Sequence, residues 1–148
     1  MSGIIGGAGS KSGVIGTTAL DYEEGTFTIT HGTHGISGQE GKYVRIGNLV
    51  SVHIEISFNV DSRTSAAAFS TLPFTSDGSQ GQGGIAWPNS VAFYNSNYSI
   101  LAMRIAPSAA TFTFYGSGHD QGVNNTITTN NGSSIYAEAR YITADSPL

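Results

Sequence analysis

Apolar and polar residues alternate without a break from Val50 to Val60. A period of two residues is typical of a β-strand that buries one of its faces. The pair Gly47–Asn48 before this segment is a turn signal, and Lys42–Ile46 before the pair also predicts a strand. The sequence therefore predicts a β-hairpin whose second strand supplies core residues, namely Val50, Val52, Ile54, Ile56, Phe58 and Val60.

Further segments have the alternation or the β-branched and aromatic composition of strands. They are Thr26–Thr30, Val91–Tyr94, Tyr98–Ala106, residues 110–116, residues 125–129 and Ser134–Thr143. In two of them the alternation shows which residues share a side: Leu101, Met103 and Ile105 share one side, and Tyr136, Glu138 and Arg140 face away from Ala137, Ala139 and Tyr141. About eight antiparallel strands predict an all-β fold, a single β-sandwich or jelly roll.

The segments between these strands predict loops rather than helices. Residues 75–84 and 116–125 are rich in Gly, Ser, Asn and Gln, so we expect two long polar loops there. Residues 63–74 contain enough alanine for one helical turn, which Pro73 would end quickly. No segment has a convincing 3.6-residue period, and crossover helices for a parallel sheet are therefore not expected.

Residues 1–20 differ in composition from the rest of the chain. They are rich in glycine, which loses more backbone entropy on ordering than any other residue. We therefore predict two parts, an extended N-terminal arm at 1–20 and a β-sandwich body at 21–148. Such an arm would gain order by lying along another molecule. Its predicted partner-binding residues are Ile4, Ile5, Lys11, Val14 and Ile15.

Composition narrows the classes of function. Only 11% of the 148 residues are charged, the net charge is −4, and the six basic residues are scattered, so nucleic-acid binding is not expected. The chain has no cysteine, which mildly favours folding in a reducing cytoplasm. Neither a signal peptide nor a segment of transmembrane length is seen, so no membrane partner is expected.

Candidate catalytic and metal-binding residues do not form convincing sets. His31 and His34 stand three apart in "HGTH", without further ligands nearby in sequence. His119 and Asp120 lack the nucleophile motif that usually accompanies such a pair. In an extended segment Glu23 and Glu24 would point to opposite faces, so they do not predict a glycosidase pair. We therefore predict no catalytic residue, no metal and no cofactor.

The stretch "AWPNSVAFYNSNYS" holds the best candidate for a ligand-binding surface. It combines flat aromatic side chains with asparagines, a composition that suits recognition of sugars. The predicted surface consists of Trp87, Tyr94, Asn95 and Tyr98. The alternative, which the sequence favours, is that Trp87 and Phe93 pack in the core and "NSN" forms a turn.

Three blocks of sequence carry a resemblance to a known family. They are "DYEEGTFTIT", "GKYVRIGNLVSVHIEISF" and "STLPFTS", which span Asp21 to Thr75. Together they resemble a module of tailed-bacteriophage virion proteins, found in tail fibres and in small standalone virion proteins. The matching positions are Tyr22, Glu23, Glu24, Gly25, Thr26, Thr28, Gly41, Tyr43, Ile46, Gly47, Asn48, Leu49, Val50, Leu72, Pro73 and Phe74.

The chain departs from the family pattern at three positions. Phe27 replaces a Trp, Ile29 replaces a Pro, and Val44 also differs, whereas Lys42 and Arg45 keep the charge. These departures leave the subfamily open. The matching blocks themselves have the composition of a scaffold, with turn glycines and alternating apolar positions.

The resemblance implies a viral structural protein that is made in the cytoplasm of the bacterial host and resides in the virion. We expect a capsid decoration (cement) protein that bridges capsomers through its arm, with the major capsid protein as partner. The alternative is a tail fibre or receptor-binding tip, with tail or baseplate proteins and host glycans as partners. A homotrimer is also implied. An enzyme, such as a depolymerase, ranks lowest because no catalytic set supports it.

Overall fold

The computed structural model describes most of the body predicted for residues 21–148. The described residues are 21–31, 35–59, 63–66, 68–79, 82–89, 92–93, 100–118, 121–124, 126–129 and 131–146. The predicted N-terminal arm lies outside the described residues, and so does Val60. Within the described ranges the chain forms strands, turns and bends without a helix.

Twelve β-strands are formed by the described residues, and every pair is antiparallel. The strands are β1 Tyr22–Phe27, β2 Ile36–Ile46, β3 Leu49–Phe58, β4 Arg63–Ala66, β5 Ala68–Ser70, β6 Gly83–Asn89, β7 Ala92–Phe93, β8 Ile100–Ile105, β9 Thr111–Gly118, β10 Gln121–Asn124, β11 Thr126–Thr129 and β12 Ser134–Ile142.

These strands make two sheets. The larger has nine strands in the order β1-β2-β3-β12-β6-β8-β9-β10, with β5 also paired to β9, and the smaller has the order β4-β11-β7. The all-β antiparallel fold of the sandwich or jelly-roll type is therefore confirmed. The described residues form more strands than the eight predicted, because segments predicted as loops also contribute strands.

The core lies on the inner face of the large sheet. The predicted alternation is confirmed from Val50 to Phe58, and so are the predicted divisions of β8 and of β12 into two sides. Phe69 links β5 to β9, since its ring centroid lies 5.3 Å from that of Phe112 and 5.4 Å from that of Phe114. Each fully buried phenylalanine stabilises the fold by about 1.5–3 kcal/mol.

The predicted hairpin is confirmed, and its first strand is longer than expected. β2 runs from Ile36 rather than from Lys42, and Gly47 in the turn has a φ of +57°, which favours glycine. The strand predicted at Thr26–Thr30 is shifted, because β1 pairs with β2 only as far as Phe27 opposite Gly41. Ile29 lies beyond β1, and its N–H donates to the Gln39 side chain.

Three predictions of non-strand structure are wrong. Residues 63–66 and 68–70 form β4 and β5 instead of a helical turn, since β11 pairs with β4 and β9 pairs with β5. The predicted loop at 75–84 ends in β6, the strand between β12 and β8. Part of the loop predicted at 116–125 belongs to β9 and β10. Gly84 allows β6 to lie close to β12, because a Cβ at this position would overlap the Glu138 carbonyl oxygen.

In the first two resemblance blocks, the pairing of β1 with β2 places aromatic residues directly opposite glycines. Gly25 stands opposite Tyr43, and Phe27 stands opposite Gly41. A Cβ at Gly25 would lie 2.8 Å from the Tyr43 hydroxyl oxygen, so each aromatic ring occupies the space that the glycine leaves. The Tyr43 hydroxyl thereby reaches Glu23 and donates to its carboxylate at 2.7 Å.

Arg45 joins all three blocks in the interior. Its Nε donates to the Gly47 carbonyl and its Nη2 to the Asp145 carbonyl, each at 2.8 Å. Its guanidinium carbon lies 4.7 Å from the ring centroid of Phe74, and Nη1 lies 4.0 Å from the Glu23 carboxylate. The contacts of Arg45 are those of a structural residue, because Arg45 is only 2% exposed.

Candidate functional site

The outer face of the large sheet carries exposed apolar side chains. The large apolar residues that are at least 37% exposed, among the described side chains, all lie on this face. They are Tyr22, Val44, Ile46, Leu49, Ile85, Trp87, Ile100, Tyr136 and Ile142. Contiguous exposed apolar surface on a folded domain commonly marks an interaction site.

One group of these residues, which we call the hairpin patch, lies at the turn between β2 and β3. Strand pairing sets Tyr22 opposite Ile46, Ile46 opposite Leu49, and Leu49 opposite Ile142. Val44 lies two residues from Ile46 on the same face. The hairpin patch therefore consists of a row across four strands and one neighbour: Tyr22, Val44, Ile46, Leu49 and Ile142.

A second group, the tryptophan patch, consists of Ile85, Trp87, Ile100 and Tyr136. Trp87 in β6 stands directly opposite Tyr136 in β12, and it is 53% exposed. The interpretation of Trp87 as a core residue is therefore wrong, because odd-numbered positions of β6 point outward while Ala86 points into the core. The side chain of Phe93 lies outside what the structure describes.

A groove of about 510 Å³, whose lining is mostly apolar, lies between the two patches and includes one residue of each. Lys42, His53, Glu138 and Arg140 supply charged or titratable side chains from three adjacent strands. His53 Nδ1 lies 3.6 Å from Glu138 Oε1, and Lys42 forms an ion pair with Glu40. The hydrogen bond and attraction from Lys42 hold the pKa of Glu40 below its usual value. The groove thus offers both signs of charge to a partner.

The remaining predicted site residues are distributed as follows. Ile4, Ile5, Lys11, Val14, Ile15, Tyr94, Asn95 and Tyr98 lie outside the described residues, as do His34, His119 and Asp120. The ring of His31 packs at 4.7 Å from that of Phe69. Glu23 and Glu24 point to opposite faces of β1, as predicted. In the described part of the chain, no cluster of three His, Asp or Glu side chains could hold a metal.

The hairpin patch and Tyr136 were not predicted as part of a site. A signal was present in Lys42–Ile46, where Val44 and Ile46 fall on one face and Tyr43 and Arg45 on the other. Tyr43 packs against the core, so the exposed Val44 and Ile46 are apolar residues on the solvent side of the same strand.

The outer face offers a surface suited to binding. It combines flat apolar groups with a groove of mixed charge, the arrangement found at protein interfaces. Comparison with protein-family models, with curated proteins and with solved structures gave no match. None of the described segments is a helix long and apolar enough to cross a membrane.

Proposed function

We propose that this chain is a structural protein of a bacteriophage virion that decorates the outer surface of the head. The observation that carries the proposal is the gathering of the exposed large apolar side chains on one sheet face. Burial of each such side chain against another subunit contributes about 1.5–3 kcal/mol. The resemblance over Asp21–Thr75 supplies the viral context.

In this role the body is a scaffold and its outer face is the contact surface. The major capsid protein is the partner, and the arm at 1–20 extends the contact to neighbouring capsomers. A homotrimer would bury part of the same outer face between copies. The structural character of the resemblance blocks supports this role, because Glu23, Tyr43, Arg45 and Phe74 contact one another in the interior.

The copy number of the protein in purified virions tests the location. We expect an abundance comparable to that of the major capsid protein on a calibrated stained gel. A few copies, or a few dozen, would contradict a place on the head and would favour the tail.

A charge placed in the hairpin patch tests the contact surface. Ile46 is 47% exposed, so Ile46→Lys should leave the fold intact while it weakens rebinding to stripped particles. We expect binding at least about tenfold weaker, which corresponds to about 1.4 kcal/mol. Thr26→Lys is the matched control, since Thr26 is an exposed polar residue on the same face. Equal binding by both variants would mean that assembly on the particle does not use the hairpin patch.

A second candidate function is a tail fibre or receptor-binding tip that recognises carbohydrate on the host surface. The exposure of Trp87 beside Tyr136 favours it, because flat aromatic faces suit the apolar faces of sugars. Trp87 is the only tryptophan in the chain, so its fluorescence reports on this place alone. A saturable emission change on titration with host polysaccharide would support a tip.

The same titration has a clear control. Tyr136→Ala should abolish the emission change, whereas Tyr22→Ala in the hairpin patch should leave it unaltered. Absence of a saturable change in the unmodified protein would contradict carbohydrate binding at Trp87.

A further inference from the structure

We propose that the hairpin patch is the docking surface for residues 1–20 of a second copy of this chain. The patch is a row of exposed apolar side chains, from Tyr22 through Ile46 and Leu49 to Ile142. The five side chains of the hairpin patch are each between 37% and 50% exposed. This inference rests on the proposed assembly role, and it names the contact that joins one copy to the next.

The point where the described chain begins lies at the corner of the patch. The Gly47 N–H donates to the Asp21 carbonyl at 2.8 Å, so residue 21 is held beside the turn of the hairpin. Tyr22, the first residue of the row, follows directly. The junction between residues 1–20 and the body is therefore next to the hairpin patch.

The distances favour a second copy over the same copy. Ile15 precedes Asp21 by six residues, and six extended residues span about 20 Å. The row of the patch crosses three strand spacings, or about 14 Å. An extended arm would thus carry Ile15, and the apolar residues before it, beyond the patch of its own copy and toward a neighbour.

The arm and the hairpin patch are chemically complementary. The arm holds two aliphatic pairs, Ile4–Ile5 and Val14–Ile15, between glycines that add little bulk. Its single charged side chain is Lys11. The exposed carboxylate of Glu24 borders the patch opposite Val44, and it can pair with this lysine.

The edge of the sheet offers a second kind of contact. Among the described strands, β1 stands at the end of the order of the large sheet, and an end strand offers a row of backbone N–H and C=O groups for pairing. An extended segment from another copy can add to such an edge as a further strand. The apolar side chains of that segment would then reach the hairpin patch.

Disulfide trapping tests this contact cleanly because the chain has no cysteine of its own. One arm position in turn (Ile4, Ile5, Val14 or Ile15) is changed to cysteine together with Leu49→Cys in the full chain, followed by mild oxidation. We expect covalent oligomers on a non-reducing gel for at least one arm position. The control pairs the same arm cysteine with Ile85→Cys, at a position that is also exposed but lies in the tryptophan patch.

Every other outcome overturns the inference. Loss of thiols without covalent oligomers means that the arm lies on its own copy. Oligomers of equal yield with Ile85→Cys in place of Leu49→Cys mean random collision, and no oxidation means no contact. Urea unfolding of each reduced variant checks that the body has folded. Virion copy number is measured separately, so specific trapping with few copies per virion would contradict the head location alone.

Discussion

At the end of β2 the usual burial of apolar and charged residues is reversed: Arg45 is buried, and the apolar residues on either side of it are exposed. Arg45 is 2% exposed, whereas Val44 is 37% and Ile46 is 47% exposed. The inversion is possible because two carbonyl oxygens, the Phe74 ring and the Glu23 carboxylate surround the guanidinium. A buried charge with these partners is tolerated, and the apolar residues beside it become available for contact outside the fold.

We expect Arg45→Ala to lower the free energy of unfolding by about 3–5 kcal/mol, because it removes one member of a buried charged set. Arg45→Lys should cost less but still lower it, since lysine lacks the planar group that spans both carbonyls. Urea unfolding followed by fluorescence measures both. Arg140→Ala, at an exposed position of the groove, should change stability by less than about 0.5 kcal/mol. An Arg45→Lys variant as stable as the unmodified protein would contradict this account.

At the scale of the strand, alternation identified the elements that bury one face. β3, β8 and β12 were predicted with the correct residues on each side, because a half-buried strand repeats its burial every second residue. β6 was missed, although it lies in the middle of the large sheet. Its glycines at 83 and 84 and its Pro88 indicate a loop. Pro88 is accommodated because β8 pairs with β6 only as far as Ala86.

The candidate site was predicted less well than the fold. Trp87 was named, but its partner Tyr136 lies 49 positions away in sequence and becomes its neighbour only through the β6–β12 register. The hairpin patch depends in the same way on the order β1-β2-β3-β12, which brings Ile142 to Leu49. Periodicity reports which residues share a face of one strand, and it does not report which strands are adjacent.

At the scale of the whole molecule, the large sheet places the side chains of the core and those of the proposed contact surface on opposite faces. Its inner face holds Val50, Ile54, Phe112 and the other buried side chains, while its outer face holds both apolar patches and the groove between them. A substitution on the outer face can therefore alter binding without unfolding the body. This separation is what allows Ile46→Lys and Trp87 fluorescence to test function independently of stability.

The hydroxyl groups of Tyr141 and Tyr43 join separate segments of the fold, and both are neutral in the folded state. The Tyr141 hydroxyl accepts from the Phe74 N–H at 3.3 Å and donates to the Phe74 carbonyl at 3.2 Å, which ties β12 to the segment after β5. Burial is the main cause that raises the pKa of Tyr141 well above its ordinary value. The hydrogen bond to Glu23, followed by burial, raises the pKa of Tyr43.

Because the pKa of a tyrosine is raised in the folded state, the free energy of unfolding decreases at alkaline pH. The stabilisation is fully present below the unfolded pKa of about 10, and it is lost as pH rises toward the folded value. For buried Tyr141 the loss amounts to about 1.4 kcal/mol per pH unit above 10. We therefore expect the urea midpoint to be steady from pH 7 to 9 and to fall steeply between pH 10 and 12.

Replacement of Tyr141 tests whether its hydroxyl is the source of the loss of stability above pH 10. Tyr141→Phe should lower stability at pH 7 by about 1 kcal/mol, through the lost hydrogen bond, but should fall less steeply above pH 10. Tyr136→Phe changes an exposed tyrosine of the same strand, and it should keep the slope of the unmodified protein. Equal slopes for Tyr141→Phe and the unmodified protein would mean that alkaline unfolding begins elsewhere, and that the contact between β12 and Phe74 does not limit the stability of the whole fold.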